Sequence, residues 1–219
     1  MNARGISLFL RINEMVRDKA KLFIAKSKIK NANNGVFVKT KCYADEIISL
    51  YPGEYHPSPP LSCVVTIDGN PIPPISEISD PDINYCTYKI SLSDEYCASN
   101  GYIDAINFLN YDTLNPYAIA HLINHSAVNW NVKPLVFSWS EYKLYNNNRI
   151  PAELLNVNKL AIDKNWYIDP IGEVVKIHEN CADLKGIAFV STRDIIEGEE
   201  LYLDYKFEKR NEPIWYVDK

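Results

Sequence analysis

Asn124-His125-Ser126 and, much farther along the chain, Glu199-Glu200-Leu201-Tyr202-Leu203-Asp204-Tyr205 decide how this sequence is read. Taken singly, each has a plain structural reading. Ile187 to Tyr205 reads as a core hairpin whose tyrosine is an ordinary buried hydroxyl, and a lone His125 reads as a satisfied interior histidine. The two stretches gain weight from occurring in this order, with Asn34-Gly35-Val36-Phe37-Val38 ahead of both.

The 219 residues, 47% of them hydrophobic, suffice to bury a sizeable core as one catalytic-sized domain. Fifteen tyrosines and thirteen prolines against eight glycines predict many short strands joined by stiff turns and argue against a bundle of long helices. Cys42, Cys63, Cys86, Cys97 and Cys181 stand alone, without a Cys-x-x-Cys pair or zinc-finger histidine spacing. That pattern predicts reduced, buried thiols rather than disulfides or structural zinc. His56, His121, His125 and His178 show no metal-ligand spacing, so no metal is expected. There is no apolar run of membrane-spanning length, and the first thirty residues carry too many charges for a secretory signal. The expectation is a soluble intracellular protein, nuclear or cytoplasmic.

Charge is unevenly spread. Residues 1–30 hold eight basic side chains against Glu14 and Asp18, so a whole-chain charge of −5 leaves the remainder at −11. An acidic body repels phosphate backbones and favours cationic partners, which predicts a basic protein or peptide rather than nucleic acid.

Ile12, Met15, Val16, Phe23 and Ile24 recur at helical spacing and predict a basic amphipathic helix over about residues 6–28, within an N-terminal segment 1–33. From Gly35 the pattern is one of strands. Val36 to Val38 and Ile47 to Tyr51 read as hairpin-like, the second run closed by a Pro52-Gly53 turn. Residues 56–84, with seven prolines, read as a surface excursion around one strand, Cys63 to Ile67. Further strands are expected at Tyr85 to Leu92, Gly101 to Ala105, Val132 to Trp139 and Gly186 to Ser191. Pro151 to Leu160 is expected to be a helix, and Trp166 to Ile168 with Val174 to Ile177 a hairpin.

With these blocks in order, the chain resembles the SET-domain protein lysine methyltransferases. Asn34 to Val38, followed by Ile47 to Glu54, is similar to the family's entry strands. Tyr102-Ile103-Asp104-Ala105 resembles its Ile-Asp-Ala strand, and Ala120-His121-Leu122-Ile123-Asn124-His125-Ser126 its Asn-His-Ser segment. Ile187 to Tyr205 resembles its terminal Glu-Glu-Leu-x-x-Asp-Tyr block. The resemblance implies a mostly β fold of small sheets with short helices and a pseudoknot-like crossing, over a domain of residues 34–208 with insertions at about 56–84 and 140–185. Tyr51-Pro52-Gly53 and the compact size are similar to the branch called SET domain-containing protein 9.

The resemblance also implies S-adenosylmethionine as cofactor and methyl transfer to a lysine amine of a protein substrate, histone or non-histone. Asn34, Gly35, Phe37, Asn124 and His125 are implied as cofactor contacts, Tyr205 and Tyr88 as catalytic hydroxyls, and Leu203 as a lining residue of the lysine channel. Three departures stand out: His121 replaces an arginine, Ala127 replaces a cysteine, and the tail 209–219 lacks the zinc-binding cysteines. Trp215 and Tyr216 are then expected to wall the channel, since flat aromatics line a methylene stem while excluding water. The alternative is a SET-fold binding or scaffold protein without turnover.

Overall fold

Short β-branched and aromatic runs punctuated by proline and glycine cannot propagate long helices, and the described residues accordingly form short strands in small sheets with two α-helices. The computed structural model describes residues 3–30, 32–56, 89–91, 102–110, 113–155, 157–160, 166–168, 174–176 and 184–205. Helix α1 (Ala3–Arg17) is followed by strands β1 (Leu22–Lys26), β2 (Asn34–Val38), β3 (Ile47–Tyr51), β4 (Gly53–His56), β5 (Lys89–Ser91) and β6 (Tyr102–Asp104). Two 3-10 turns, Ile106–Phe108 and Ala120–Leu122, lead to β7 (Asn124–His125), β8 (Val132–Ser138) and α2 (Trp139–Tyr145). A third turn, Ala152–Leu154, precedes β9 (Asn158–Leu160), β10 (Trp166–Ile168), β11 (Val174–Lys176), β12 (Lys185–Ser191) and β13 (Tyr202–Leu203).

The strands form a five-stranded sheet in the order β3-β12-β8-β13-β7, a four-stranded sheet β5-β6-β4-β9, and the pairs β1-β2 and β10-β11. This is the mostly β class of small sheets expected from the sequence. Because successive side chains point to opposite faces of a strand, β12 feeds two cores at once. Ile187 and Phe189 pack with Ile48, Tyr51, Val132 and Leu203 on one face. Ala188 and Val190 pack with Leu50, Phe137, Tyr142 and the buried stripe Phe9, Ile12 and Met15 of α1 on the other.

The crossing is written in the ladder of the five-stranded sheet. β13 runs parallel to both neighbours, with Tyr202 opposite Asn124, Leu203 opposite His125, and Leu203 also opposite Val132. Since β7 and β8 flank β13, the connection 126–131 between them has to arch across it. Both ends of the arch are bonded to the strand beneath, Ser126 N–H to the Leu203 carbonyl at 3.1 Å and Asn131 N–H to the Tyr202 carbonyl at 3.0 Å. Asn131, fully buried, adds side-chain bonds to the same threaded segment: Oδ1 accepts from Tyr202 N–H at 2.8 Å and Nδ2 donates to the Glu200 carbonyl at 2.9 Å.

Several expectations are corrected. The N-terminal helix ends at Arg17 rather than near residue 28, because Lys19 turns left-handed at φ 66° and the chain then joins a ladder from Leu22↔Val38 to Lys26↔Asn34. Phe23 and Ile24 thus belong to a strand; apolar residues continue through the break, so periodicity alone runs helix and strand together. β2 and β3 form no hairpin, since β2 pairs with β1 and β3 with β12. Gly53, at φ 142°, turns the chain from one sheet into the next, where a Cβ would meet the Asp104 carbonyl oxygen at 2.5 Å. The expected helix from Pro151 is only the turn Ala152–Leu154, after which β9 pairs in parallel with β4. Helix α2 was not expected, although Ser138-Trp139-Ser140-Glu141 carries its start signal: the Ser138 hydroxyl accepts from Glu141 N–H at 3.1 Å.

The strand expected at Cys63 to Ile67 lies outside the described residues. Cys42 is a buried free thiol, pushed up to about 12 by burial, as an inert core residue should be; Cys63, Cys86, Cys97 and Cys181 lie outside the described residues. Among these, no helix is long and apolar enough to cross a membrane.

If the Asn131 side chain locks the arch onto β13, Asn131→Ala should cost about 2–3 kcal/mol, because it orphans buried backbone groups on β13. Urea unfolding would measure this, and hydrogen exchange should show the loss concentrated in residues 200–205.

Candidate functional site

The segment that threads the crossing first runs along the N-terminal hairpin. Gly198 N–H bonds to the Val38 carbonyl at 2.8 Å, Val38 N–H to the Glu199 carbonyl at 3.0 Å, and Leu201 N–H to the Val36 carbonyl at 2.8 Å. Residues 198–201 therefore belong to β2, and residues 202–203 to β7 and β8. Alternation along this segment buries Leu201 and Leu203 in the main core and turns Glu200 and Tyr202 to the opposite side.

Glu200 is nonetheless only 1% exposed, because the β1–β2 hairpin closes over it. Its Oε1 accepts from Ser27 Oγ at 2.7 Å and Asn124 Nδ2 at 3.1 Å, and its Oε2 from Lys28 N–H at 2.7 Å and the Tyr202 hydroxyl at 2.8 Å. Ser27 Oγ is itself an acceptor from Ile29 N–H and Asn124 Nδ2, so its proton is the one it gives to Glu200. Burial, and then the Glu200 carboxylate, push the Tyr202 hydroxyl above its ordinary range and keep it a donor. A Cβ on Gly35 would fall inside this carboxylate, 2.8 Å from Cδ and closer still to Oε1. The glycine is thus required by Glu200 as well as by any ligand approaching the backbone.

Asn124 links this cluster to the crossing. Its Nδ2 also donates to the Asn34 carbonyl at 3.0 Å, so the amide nitrogen is surrounded by acceptors, while its Oδ1 takes no hydrogen bond among the described residues and is not sealed from solvent, which leaves it as the outward-facing end. The next residue, His125, lies with Nδ1 3.0 Å from both the Leu203 carbonyl and the Tyr205 N–H. Either ring tautomer therefore bonds the imidazole to the threaded segment. Its ring stands 5.1 Å from that of Tyr205, whose hydroxyl donates to the Ile123 carbonyl at 2.6 Å.

Of the residues singled out from sequence, Asn34, Gly35 and Asn124 gather at Glu200, and His125, Leu203 and Tyr205 gather at the crossing a few residues away. Phe37 forms a bridge to Glu200 in the backbone and stacks on Phe23 at 5.6 Å. Leu203 is 8% exposed and packs in the main core. Tyr88, Trp215 and Tyr216 lie outside the described residues. Sequence reasoning missed Ser27 and Glu200. A glutamate alternating with buried leucines reads as a solvent-facing residue, and only the hairpin packed over it reverses that. A separate cleft of about 390 Å³, lined in part by Glu54, Phe108, Leu155 and Lys159, contains none of these groups. Among the described residues no cluster could hold a metal ion.

The chain is similar to a solved structure. The chain matches the crystal structure of CpSET8 from Cryptosporidium at 17% sequence identity and a TM-score of 0.49, over 95% of this chain and 68% of that one. No family model matches the sequence, and no curated protein does.

The 3-10 turn just before the Asn124–His125 strand carries a buried histidine. His121, 4% exposed, is lowered to about 4 by burial, against which its bond to the Phe108 carbonyl works in the opposite direction. That bond, 3.1 Å from Nε2, requires the proton on Nε2. Between about 6.5 and 4 the unfolded chain takes up a proton that the native ring refuses, so stability is full above this window and falls as pH drops through it. The loss should amount to about 3 kcal/mol. Chemical denaturation at pH 7 and pH 4 should show His121→Gln, which keeps a donor for Phe108, losing less stability over the interval than the parent chain; parallel losses would remove His121 as the cause.

Proposed function

We propose that this chain is an S-adenosylmethionine-dependent protein lysine N-methyltransferase of the SET type. The observation that carries the reading is the parallel pairing of Asn124–His125 with Tyr202–Leu203 beneath the arch 126–131, which brings an outward-facing amide oxygen, a buried carboxylate and the Tyr205 hydroxyl into one neighbourhood. The resemblance of the sequence blocks supplies the class of chemistry. The residues fit a cationic cofactor, because Asn124 Oδ1 is an acceptor and Glu200, beside it, has no cationic partner among the described residues. Placement next to the SET domain-containing protein 9 branch has no such support and forms no part of the reading.

When bound, S-adenosylmethionine supplies a methyl group on a sulfonium sulfur, which keeps the carbon–sulfur bonding pair when the methyl leaves. The protein's part is to orient a neutral amine and exclude water, rather than to provide a strong acid or base. A lysine ammonium entering an apolar channel has its pKa lowered by desolvation, so its proton passes to solvent before transfer. Tyr205 orients the amine. Its one proton is given to the Ile123 carbonyl, so its oxygen can only accept from an incoming N–H, which points the nitrogen lone pair away from the ring. Asn34, Gly35, Phe37 and His125 shape the cofactor side, Tyr88 is the proposed second catalytic hydroxyl, and Trp215 and Tyr216 are the proposed walls of the substrate channel. The acidic body favours a basic peptide, histone or non-histone, as substrate, inside the cell in nucleus or cytoplasm.

Calorimetric titration with S-adenosylmethionine, followed by radiolabel transfer to a mixed histone and peptide library, tests the reading. Saturable binding and lysine labelling are expected, and Tyr205→Phe should lower kcat about 100-fold with little change in cofactor affinity. Binding without transfer would favour the scaffold alternative. Because Leu203 offers no hydroxyl to hold a water in the channel, mass spectra of a good substrate should contain di- or trimethyllysine; monomethyl product alone would contradict that assignment.

A further inference from the structure

The described residues contain one deeply buried acid whose charge nothing cancels. Glu200 is 1% exposed, and all four of its partners are neutral donors: a serine hydroxyl, a backbone N–H, an amide and a phenol. Each oxygen faces at least one group that can only donate, Asn124 Nδ2 at Oε1 and Lys28 N–H at Oε2, an arrangement that suits the ionised form. A buried anion without a counter-ion is costly unless its hydrogen bonds are complete, and even then its field persists in a surrounding of low dielectric. The Lys28 ammonium does not cancel it, since that side chain turns away to the Gly198 carbonyl at 3.2 Å.

Glu200 also helps fix which end of Asn124 faces outward. With Ser27 Oγ, the Asn34 carbonyl and Glu200 Oε1 all within 3.1 Å of Nδ2, reversing the amide would set its oxygen against two oxygens that have no proton to offer it. Asn124 Oδ1 takes no hydrogen bond among the described residues. A ligand group meeting this atom has to be a donor, and the uncancelled charge behind it favours a donor that is positive.

We propose that Glu200 is a positioning residue that makes this corner of the site specific for an ammonium group: it holds Asn124 with its oxygen outward and supplies the opposing charge. The proposal rests on the cofactor reading above, in which the ammonium is that of the cofactor's amino-acid portion. Glu200 itself stays behind Asn124 and the hairpin and touches no ligand. In Glu200→Gln one oxygen becomes an NH2 group and the charge disappears, so Asn124 loses its electrostatic backing and its hold on one of the three acceptors that orient its amide.

The test is calorimetric binding of three inert ligands to the full chain: S-adenosylhomocysteine, its deaminated keto acid, and 5′-methylthioadenosine, which lacks the amino-acid portion. The parent chain should bind S-adenosylhomocysteine at least about tenfold more tightly than the keto acid. Glu200→Gln should lose about tenfold in affinity for S-adenosylhomocysteine while its affinity for 5′-methylthioadenosine changes less than about twofold. A purely structural role would weaken both ligands alike, and that result overturns the proposal. If Glu200→Gln does not fold, the parent chain still decides: equal affinity for the amine and the keto acid overturns the proposal. A parent chain that binds S-adenosylhomocysteine without this preference removes the inference and leaves the cofactor reading in place, whereas one that binds none of the adenosyl ligands removes both.

Discussion

A two-residue strand held between two parallel neighbours is the constraint on which this structure depends. Tyr202 and Leu203 have too little ladder of their own to hold a place in a sheet, and they keep it because the arch 126–131 crosses over them with Ser126, Asn131 and His125 bonded to their backbone. Such threading is rare because it requires one segment to be placed before another can close over it. Its result is a fixed spatial relation between parts of the chain far apart in sequence.

The central strand β12 gives the crossing something rigid to rest on. Buried on both faces, it separates a core containing Leu201, Leu203 and Ile123 from a second core built around α1 and the aromatic cluster of Phe9, Phe137, Trp139 and Tyr142. Edge-to-face contacts such as Phe137–Trp139 at 4.9 Å and Phe9–Tyr142 at 5.6 Å fill that second core with large, stiff side chains. Helix α1 is thereby part of the body, and the hairpin that follows it is held in register against residues 198–201. The N-terminal segment is in this way a wall of the site rather than an appendage to it.

The site's chemistry follows from what this wall covers. Glu200 would be a solvated surface acid if the β1–β2 hairpin were absent. Beneath the hairpin it becomes a buried anion that organises Ser27, Lys28, Asn124 and Tyr202. One carboxylate thus joins the N-terminal hairpin, the Asn124–His125 strand and the threaded segment. The identity of residue 35 follows from the same cause, because any side chain there would occupy the space of the carboxylate.

Much of the strand pattern was legible in the sequence. Val36 to Val38, Ile47 to Tyr51, Tyr102 to Asp104, Val132 to Ser138 and Gly186 to Ser191 announce themselves through β-branched and aromatic runs bounded by turn residues, a signal that depends only on near neighbours. Helix α2 was equally legible in Ser138 and Glu141 but easily passed over. Phe23 and Ile24 prolong the apolar pattern of the N-terminal helix beyond its end, because that pattern cannot reveal a left-handed residue at Lys19. Local chemistry, then, determined which segments extend and where several of them stop, while the resemblance of the ordered blocks is what singled out Asn124, His125 and Tyr205. Only the tertiary structure decided that β13 lies between β7 and β8 and that Glu200 is buried, because strand pairing and the covering of a charge depend on contacts between residues whose separation along the chain leaves no periodicity to read.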